Sequence, residues 1–593
     1  MSEAVPPSRI WLRWSCGGML AVSFAAVLGV STERGGGTPS APPAPRRAVR
    51  AATPPATARR AARVRSVRRR RAWTQPVGLT VLHTNDLHGH VLGRGERPAD
   101  GGLVALGRAI FQARDEARAR GDGVLLLDAG DLWQGTPEGN LTSGEVVVAW
   151  LNRMGYDAVV VGNHEFDHGV AALVRLASLA EQPWLACNLL EEASGVRPGW
   201  LGRGSSPETP DRLRGAGLVK IVRCGDVDVR VGIVGVTSAD TEQLTAAGRT
   251  EGLRFRDEVR AVEDALAALP PVDVVLLLSH AGLEEPAGAG SSWGGPDVRL
   301  AAAFDGRVDV VIGGHSHTRL ESGLRVGGVL VAQAGANGEA LGQIRLRLRP
   351  PRPTGPRAGR PLVEASASLR PPGDDLYETL APYLRAVEEQ VGLPPGGLEG
   401  AAEPVGELTA PLRRSMEYES SALGNLVTDL MRGVSQDPPI DVAFQNKTGL
   451  RADLEAGPIA WRDIYEVAPF GNTVVTLLLR GADLRDLLEG MLRAPKSLLE
   501  FSGLEVVCDP ARPLGERLVS VAVGGRPLDD EAIYVVATSD FLAAGGDGHE
   551  AFTRGLHPRD TGVRTRDLLL RYFAERAKVS PPPVEQRLRL APH

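Results

Sequence analysis

Five short apolar segments of this chain end in the same way, and this repetition is the feature that most restricts its fold. A histidine, aspartate or asparagine follows the end of each segment within three residues. The segments are residues 79–82, 124–127, 158–161, 274–278 and 308–312. Stretches with helical apolar spacing, such as 103–119 and 259–269, lie between them. Alternating strands and helices predict an α/β fold, and the five polar clusters are expected to meet at one sheet edge.

The clusters contain carboxylate, imidazole and amide side chains and no thiolate. Five of the 11 histidines are candidate site residues in these clusters, namely His88, His164, His280, His315 and His317. This donor set suits borderline to hard divalent ions such as Mn, Zn, Fe or Co, and the donors suffice for two ions. A water bound between two such ions loses a proton more readily and becomes a nucleophile, so the pattern predicts metal-dependent hydrolysis. The alternative is a set of purely structural polar turns.

The segment GNHEFDHG (residues 162–169) carries the densest set of such groups. Asn163 offers a neutral oxygen to a metal ion. His164 can hold or donate a proton near neutral pH. Asp167, three residues later, can orient that imidazole. Taken alone, the segment is equally consistent with a polar turn after a strand.

The first 75 residues differ in charge from the rest of the chain. They contain 14 Arg, no Lys and two acidic residues, whereas the whole chain has a net charge of -5. The remainder is therefore acidic, which disfavours binding to nucleic-acid polymers. Residues 1–31 have the layout of a secretory signal, with an uncleaved membrane anchor as the alternative. Residues 32–76 read as a disordered Arg/Pro-rich linker, either a solvated arm or a weak contact to membrane or cell wall.

Proline-rich and helical patterns divide the remainder. We predict a catalytic domain at 77–350, a linker with a connecting helix at 351–402, a second domain at 403–577 and a tail at 578–593. The leader indicates a secreted or periplasmic protein. The four cysteines lack metal-type spacing, so those of the body are expected to be buried free thiols. The oligomeric state stays open.

The motifs HTNDLHGH (83–90), GDLWQGTP (130–137), GNHEFDHG and GHSH (314–317) resemble those of calcineurin-like metallophosphoesterases and, in their longer forms, the bacterial 5′-nucleotidase family. The resemblance implies a four-layer α/β/β/α sandwich joined by a helix to a smaller α+β domain that binds substrate. It also implies two divalent ions. The first site would use Asp86, His88, Asp131 and His317, and the second Asp131, Asn163, His280 and His315. His164 would be catalytic, with Asp167 as its partner.

The second half of the chain is similar to the substrate-binding domain of the same family. LGNL (423–426), NKTGLR (446–451), PFGN (469–472) and FLAAGGDG (541–548) correspond to its motifs. Two phenylalanines would sandwich a nucleobase, an acid would bind the ribose, and an arginine would bind phosphate. The implied substrate-binding residues are Asn446, Arg451, Phe470, Phe541 and Asp547.

Three residues depart from the family pattern. Lys447 and Thr448 replace glycines, which is expected to add bulk and charge near the pocket, and Ala422 stands where several nucleotidases have arginine. The leading prediction is hydrolysis of nucleoside 5′-phosphates by metal-activated water. The alternatives are a 2′,3′-cyclic-nucleotide phosphodiesterase with 3′-nucleotidase activity, a UDP-sugar hydrolase, a thiosulfate-type hydrolase, and a non-catalytic surface-binding protein on the same fold.

Overall fold

The computed structural model describes residues 73–91, 102–286, 292–350, 361–372, 403–576, 578–581 and 583–592. The predicted leader, nearly all of the basic linker and the predicted connecting helix lie outside these residues. Within the described residues, no helix is both long and apolar enough to cross a membrane. Cys187, Cys224 and Cys508 are buried free thiols, as predicted.

The first domain alternates strands and helices from residue 77 onward. Its strands are β1 Val77–Thr84, β2 Gly123–Asp128, β3 Ala158–Val160, β4 Trp184–Leu185, β5 Leu189–Glu191, β6 Gly217–Cys224, β7 Val227–Thr237, β8 Leu253–Phe255, β9 Val274–His280, β10 Val310–Gly313, β11 Leu324–Val326, β12 Val329–Ala332, β13 Leu341–Arg349 and β14 Leu362–Arg370. Its helices are α1 Leu103–Ala119, α2 Pro137–Leu141, α3 Glu145–Met154, α4 Val170–Leu179, α5 Thr241–Leu244, α6 Glu258–Ala268 and α7 Pro296–Ala303. Each of the five predicted apolar segments overlaps one of these strands.

Two six-stranded sheets form the centre of this domain, in the orders β14-β13-β1-β2-β3-β4 and β11-β12-β10-β9-β7-β6. One apolar core, which includes Val81, Leu127 and Leu276, lies between the sheets. A second core packs α1, α3 and α4 on the first sheet, and a third packs α6 and α7 on the second. Strands buried on both faces read as continuous apolar runs, which explains their clear signal in the sequence. The result is the expected four-layer α/β/β/α sandwich.

The predicted end of this domain at residue 350 is too early. β14 pairs antiparallel with β13 along its whole length, with Leu341 opposite Arg370 and Arg349 opposite Leu362. Residues 362–370 alternate apolar or small residues with polar ones, the pattern of a half-exposed edge strand. Part of the predicted linker therefore completes the first sheet.

The second domain is an α+β structure with three small sheets. Its strands are β15 Pro404–Leu408, β16 Val442–Asn446, β17 Gly457–Ala460, β18 Thr473–Arg480, β19 Leu499–Ser502, β20 Leu504–Cys508, β21 Leu518–Val523, β22 Arg526–Pro527, β23 Ile533–Ser539, β24 Leu556–Arg564, β25 Lys578–Val579 and β26 Leu588–Leu590. Its helices are α8 Ala422–Arg432, α9 Trp461–Val467, α10 Gly481–Met491, α11 Asp540–Ala543 and α12 Thr565–Glu575. The largest sheet has the order β19-β16-β23-β18-β24.

The predicted tail belongs to this second domain. β25 pairs with β15, and β26 pairs with β20. Between them, the buried Arg587 donates to Phe501 O at 3.1 Å and to Asp429 Oδ2 at 2.8 Å. Strands of two or three residues are too short to show periodicity, so no local pattern pointed to them.

The two domains meet through α2 and α9. Asn140 Nδ2 donates to Tyr465 Oη at 3.1 Å and to Pro469 O at 3.2 Å. Glu138 and Arg462 form an ion pair across the same contact. Because Pro469 opens the PFGN loop, these contacts hold that loop beside the catalytic domain.

Candidate metal centre and substrate pocket

The polar clusters converge at the carboxyl ends of strands from both sheets. Three clusters follow β1, β2 and β3 of the first sheet, and two lie at the ends of β9 and β10 of the second. The expectation that all clusters meet at the edge of one sheet is therefore wrong in detail, because the strands that end at the site belong to two facing sheets. The candidate ligand side chains form two groups, Asp86 with His88 and His317, and Asp131 with His280 and His315.

The backbone is strained at this convergence. Among the described residues, nine other than glycine have a positive φ, a conformation that is unfavourable for L-residues with a Cβ. Five of the nine are candidate ligands: Asp86 (51°), His88 (48°), Asp131 (59°), His315 (72°) and His317 (56°). Such strain persists only where the surroundings impose it, and it is concentrated at functional sites.

His88 and His317 bring two lone pairs together. His88 Nδ1 lies 2.8 Å from Gln134 O, so it carries the proton and donates to that carbonyl. Its Nε2 is then a lone pair, and it lies 2.9 Å from His317 Nε2. Burial and the charge of Arg451 both lower the pKa of His88, which keeps the ring neutral. Two neutral imidazole nitrogens at this distance are suited to share a cation.

Asp131 and His280 also place two atoms that can bind a cation close together. His280 Nδ1 lies 2.6 Å from Ala129 O and donates to it, and its Nε2 faces Asp131 Oδ2 at 3.0 Å. Burial lowers the pKa of His280, but the facing Asp131 carboxylate outweighs burial and raises this pKa to about 10. A proton or a metal ion must lie between these atoms.

Asn163 and His315 complete the second group. Asn163 Oδ1 lies 2.9 Å from His315 Nδ1. His315 N donates to Asp86 Oδ1 at 3.0 Å, which links the two groups. These residues therefore fit two divalent cations held by nitrogen and oxygen ligands without thiolate. All seven predicted metal-binding residues lie together, although the bridging position of Asp131 stays a prediction.

Glu165 has a role that the sequence did not reveal. Its carboxylate is fully buried and accepts from the backbone N–H groups of Asp131, Leu132 and Gly162 at 3.0, 2.8 and 2.7 Å. It thereby fixes the loop that presents Asp131. The signal in the sequence was an acidic residue directly after a candidate catalytic histidine. It did not reveal the role of Glu165, because all three partners are backbone N–H groups and two of them are distant in the chain.

His164 and Asp167 form the predicted pair. His164 Nδ1 lies 2.8 Å from Asp167 Oδ2. Burial lowers the pKa of His164, but the charges of Asp167 and Asp131 outweigh it, so the pKa lies above its ordinary value. Nε2 of His164 therefore carries a proton that it can donate. His168 instead packs edge-on against Trp133, with ring centroids 4.5 Å apart.

Two predicted residues of the second domain reach the metal centre. Arg451 Nη2 lies 3.3 Å from His88 Nε2. The Phe470 ring stacks on His164, with centroids 5.6 Å apart and planes at 28°. Burial lowers the pKa of Arg451, while the carboxylates of Asp131 and Asp86 act in the opposite direction. A guanidinium and an aromatic face thus border the metal centre.

The remaining predicted substrate-binding residues form a second group. Asn446 Nδ2 and Thr448 Oγ1 both donate to Asp547 Oδ2, each at 2.8 Å. Burial raises the pKa of Asp547, and these hydrogen bonds act against it. Gly546 lies against the Phe541 ring, where an added Cβ would come within 2.4 Å of the ring. Phe541 and Phe470 do not contact each other in the described structure.

The departures from the family pattern have different consequences. Lys447 does not add charge to the pocket as expected, because its side chain is 1% exposed and turns into the domain. Its Nζ donates to Ser415 O, Glu419 O and Glu500 Oε1 at 3.0, 2.6 and 2.9 Å. Thr448 does act at the pocket, through Asp547. Ala422 begins α8 and packs against an apolar core.

Comparison with known proteins agrees with this arrangement of domains. The profile of calcineurin-like phosphoesterases matches residues 79–319. The profile of the 5′-nucleotidase C-terminal domain matches residues 404–554. The first match includes every predicted metal-binding residue, and the second includes every predicted substrate-binding residue.

Full-length relatives match over both domains. A 5′-nucleotidase of Diplobatis ommata is 30% identical over 567 residues, which cover 86% of this chain and 90% of the relative. A 5′-nucleotidase of Bos taurus is 28% identical over 570 residues, covering 87% and 92%. The crystal structure of a 5′-nucleotidase precursor from Thermus thermophilus superposes with a TM-score of 0.69 at 29% identity, covering 86% of this chain and 99% of that one. The chain therefore belongs to the 5′-nucleotidase family and is a metal-dependent phosphoester hydrolase with a dinuclear divalent metal centre.

Proposed function

We propose that this protein hydrolyses nucleoside 5′-monophosphates to nucleoside and phosphate. The observation that carries the proposal is the position of Arg451, whose Nη2 lies 3.3 Å from His88 Nε2 of the metal centre. A guanidinium binds a phosphate through two parallel N–H donors. A phosphate held by Arg451 would therefore lie at the metal centre, while Phe470 and Asp547 offer groups for the base and the ribose.

The chain's own residues have distinct roles in this proposal. When bound, the two metal ions act as Lewis acids towards the phosphoryl oxygens and lower the pKa of an attacking water. His164, oriented by Asp167, donates a hydrogen bond from Nε2 to a phosphoryl oxygen. Arg451 adds positive charge on the side of the second domain. Phosphoryl transfer is promoted mainly by such positioned charge, because its transition state spreads negative charge over the phosphoryl oxygens.

For the second domain we propose binding of the nucleoside. Asp547 has one oxygen occupied by Asn446 and Thr448, which leaves Oδ1 to accept from a ribose hydroxyl. Phe470 and Phe541 offer aromatic faces to a base. The charged residues of the leader, Arg9 and Arg13, and the apolar run after them support export, so we place the mature protein outside the cytoplasmic membrane.

A substrate panel with metal analysis on the same sample tests the proposal. The purified chain, loaded with Mn or Zn, is assayed for phosphate release from AMP, 2′,3′-cyclic AMP with added phosphatase, and UDP-glucose with added phosphatase. We expect AMP to be the preferred substrate and about two ions to be bound per chain, in line with a two-metal site. His164→Ala is expected to retain both ions and lose turnover, whereas Asn163→Ala is expected to weaken one ion.

Several outcomes would refute the proposal. Preference for the cyclic nucleotide or for UDP-glucose would refute the proposed substrate, whereas the assignment of the metal centre would stand. Bound metal without release of phosphate from any nucleotide would favour the non-catalytic binding protein. Loss of metal in His164→Ala would show that this residue is a ligand instead of a phosphate-binding group.

A further inference from the structure

The turn that carries His315 and His317 is held by a segment that contains none of the predicted ligands. This segment is residues 333–337, directly after β12. β12 pairs in parallel with β10, so its carboxyl end lies beside the end of β10, where the turn begins. His317 belongs to the first group of candidate ligands and His315 to the second. A residue that fixes this turn therefore acts on both groups.

Gln333 binds the turn before its first histidine and after its second. The side chain of Gln333 is fully buried, and its Nε2 donates to Gly314 O. Its Oε1 accepts from Ser316 Oγ at 2.9 Å and from Thr318 N at 2.7 Å. One amide side chain thus holds the residues on either side of each histidine through both its donor and its acceptor.

The backbone of the turn requires such a constraint. His315 and His317 have φ angles of 72° and 56°, which are unfavourable for residues with a Cβ. A strained backbone persists only where its surroundings impose it. Gly314 is also closely packed, since an added Cβ would come within 2.8 Å of Ala129 O and 2.9 Å of His280 Nδ1. The three hydrogen bonds to the buried amide supply part of this constraint.

Ser316 extends the network to a further ligand loop. Its Oγ donates to Gln333 and accepts from Leu283 N at 3.1 Å. Leu283 lies in the loop that follows β9, three residues after His280. The turn and the end of β9 are therefore joined through one hydroxyl group.

The next residues of the segment bind the loop that carries Asp86. Ala334 N donates to Asn85 Oδ1 at 2.9 Å. Asn85 Nδ2 donates to Gly335 O and to Asp86 Oδ2, each at 2.6 Å. Asn337 N donates to Asp86 O at 2.7 Å. Because Asp86 follows β1 of the first sheet, residues 333–337 connect ligand loops from both sheets.

We infer that Gln333 is a positioning residue of the metal centre, which sets the position of His315 relative to His317 and so contributes to the binding of both ions. Groups that hold metal ligands in place typically account for about 10- to 100-fold in metal affinity. A ligand of one ion, the role predicted for Asn163, acts mainly on that ion. Gln333 instead acts on one candidate ligand of each. The inference concerns the metal centre and does not depend on the substrate.

Metal titration without nucleotide tests the inference. Metal-free protein is titrated with Mn in competition with a chelator, and the affinity of each ion is measured. Gln333→Met keeps the length of the side chain and removes its three hydrogen bonds, so it is expected to weaken both ions by about 10- to 100-fold. Asn163→Ala, measured in parallel, is expected to weaken one. A purely structural role would lower the Tm of the metal-free protein and leave both affinities unchanged.

Ser316→Ala is a smaller change that tests the same network. Ser316 is half-buried, and the substitution removes only its hydroxyl group. It is expected to weaken both ions by about fivefold, the effect of a neutral hydrogen bond. This variant decides the question if Gln333→Met does not fold.

Gln343→Met is the matched control. Gln343 is a buried glutamine of β13, 4% exposed, and among the described residues its Nε2 has no hydrogen-bond partner. The control is expected to leave both affinities unchanged. Unchanged affinity for either ion in Gln333→Met, or an equal loss in Gln343→Met, would overturn the inference. If Gln333→Met does not fold, unchanged affinity for either ion in Ser316→Ala would overturn it.

Discussion

The buried pair of Lys447 and Glu500 offers a quantitative test of how the substrate loop is held. The two side chains are 1% and 2% exposed, and Nζ lies 2.9 Å from Oε1. Glu500 Oε1 also accepts from Ser421 Oγ at 2.6 Å. The pair therefore joins β19 to the loop that carries Asn446 and Thr448. Removal of one partner from such a pair leaves an uncompensated buried charge and costs about 3–5 kcal/mol.

A double-mutant cycle separates the pair from its surroundings. Lys447→Met is expected to lower the free energy of local unfolding by about 3–5 kcal/mol. Glu500→Gln is expected to cost less, about 1.5–3 kcal/mol, because Nζ keeps its two carbonyl partners. The double variant removes both charges and is expected to cost no more than Lys447→Met alone. The two changes are thus strongly non-additive.

Native-state hydrogen exchange is the suitable assay, because a two-domain chain does not unfold in two states. Exchange is followed at β16 and β19, which pair antiparallel. Lys578→Met is the control, since it breaks an exposed ion pair with Glu407 and is expected to cost no more than about 1 kcal/mol. A cost for Lys447→Met that matches this control, or additive effects in the cycle, would refute the reasoning.

Three further predictions concern single residues. Glu165→Gln is expected to weaken metal binding by about 10- to 100-fold, measured by titration with a chelator, because it disturbs the three amides that hold the Asp131 loop; unchanged affinity would contradict this role. Thr448→Val is expected to raise KM for AMP about fivefold with little change in kcat, since Asp547 loses one hydrogen bond, whereas Thr448→Ser is expected to retain the original KM. Burial lowers the pKa of His549 to about 4, so the unfolded chain takes up the proton first as pH falls from 6.5 to 4, and stability is lost in that window. His549→Leu is expected to remove up to about 3 kcal/mol of this loss in metal-free protein, measured by thermal unfolding across that range, and an unchanged pH dependence would contradict it.

The sequence was most informative where one local rule is enough. Strands buried on both faces are continuous apolar runs, so residues 274–278 and 158–161 were recognisable without tertiary information. The candidate metal-binding residues follow those runs directly, because the carboxyl ends of strands are where α/β folds place their sites. The strand pattern predicted that Asp86 and His317 lie near each other although they are far apart in the chain, and the resemblance to metallophosphoesterases implied that they bind the same ion.

Prediction was less successful where function depends on the direction of a side chain. Lys447 was expected to charge the pocket and instead turns inward, because Glu500 and two backbone carbonyls offer it a buried site. Glu165 was given no role, since its partners are backbone N–H groups and every residue except proline has one.

Apolar periodicity and residues adjacent in the chain were enough to establish the α/β class, the two domains and the chemical types of the ligands. Three other features emerged only from the folded molecule. The polar clusters come from two facing sheets, and β14 belongs to the first domain while the last two strands belong to the second. Arg451 of the second domain reaches the metal centre of the first. Such relations join residues far apart in the chain. They depend on strand order and on domain contact, which local sequence patterns do not encode.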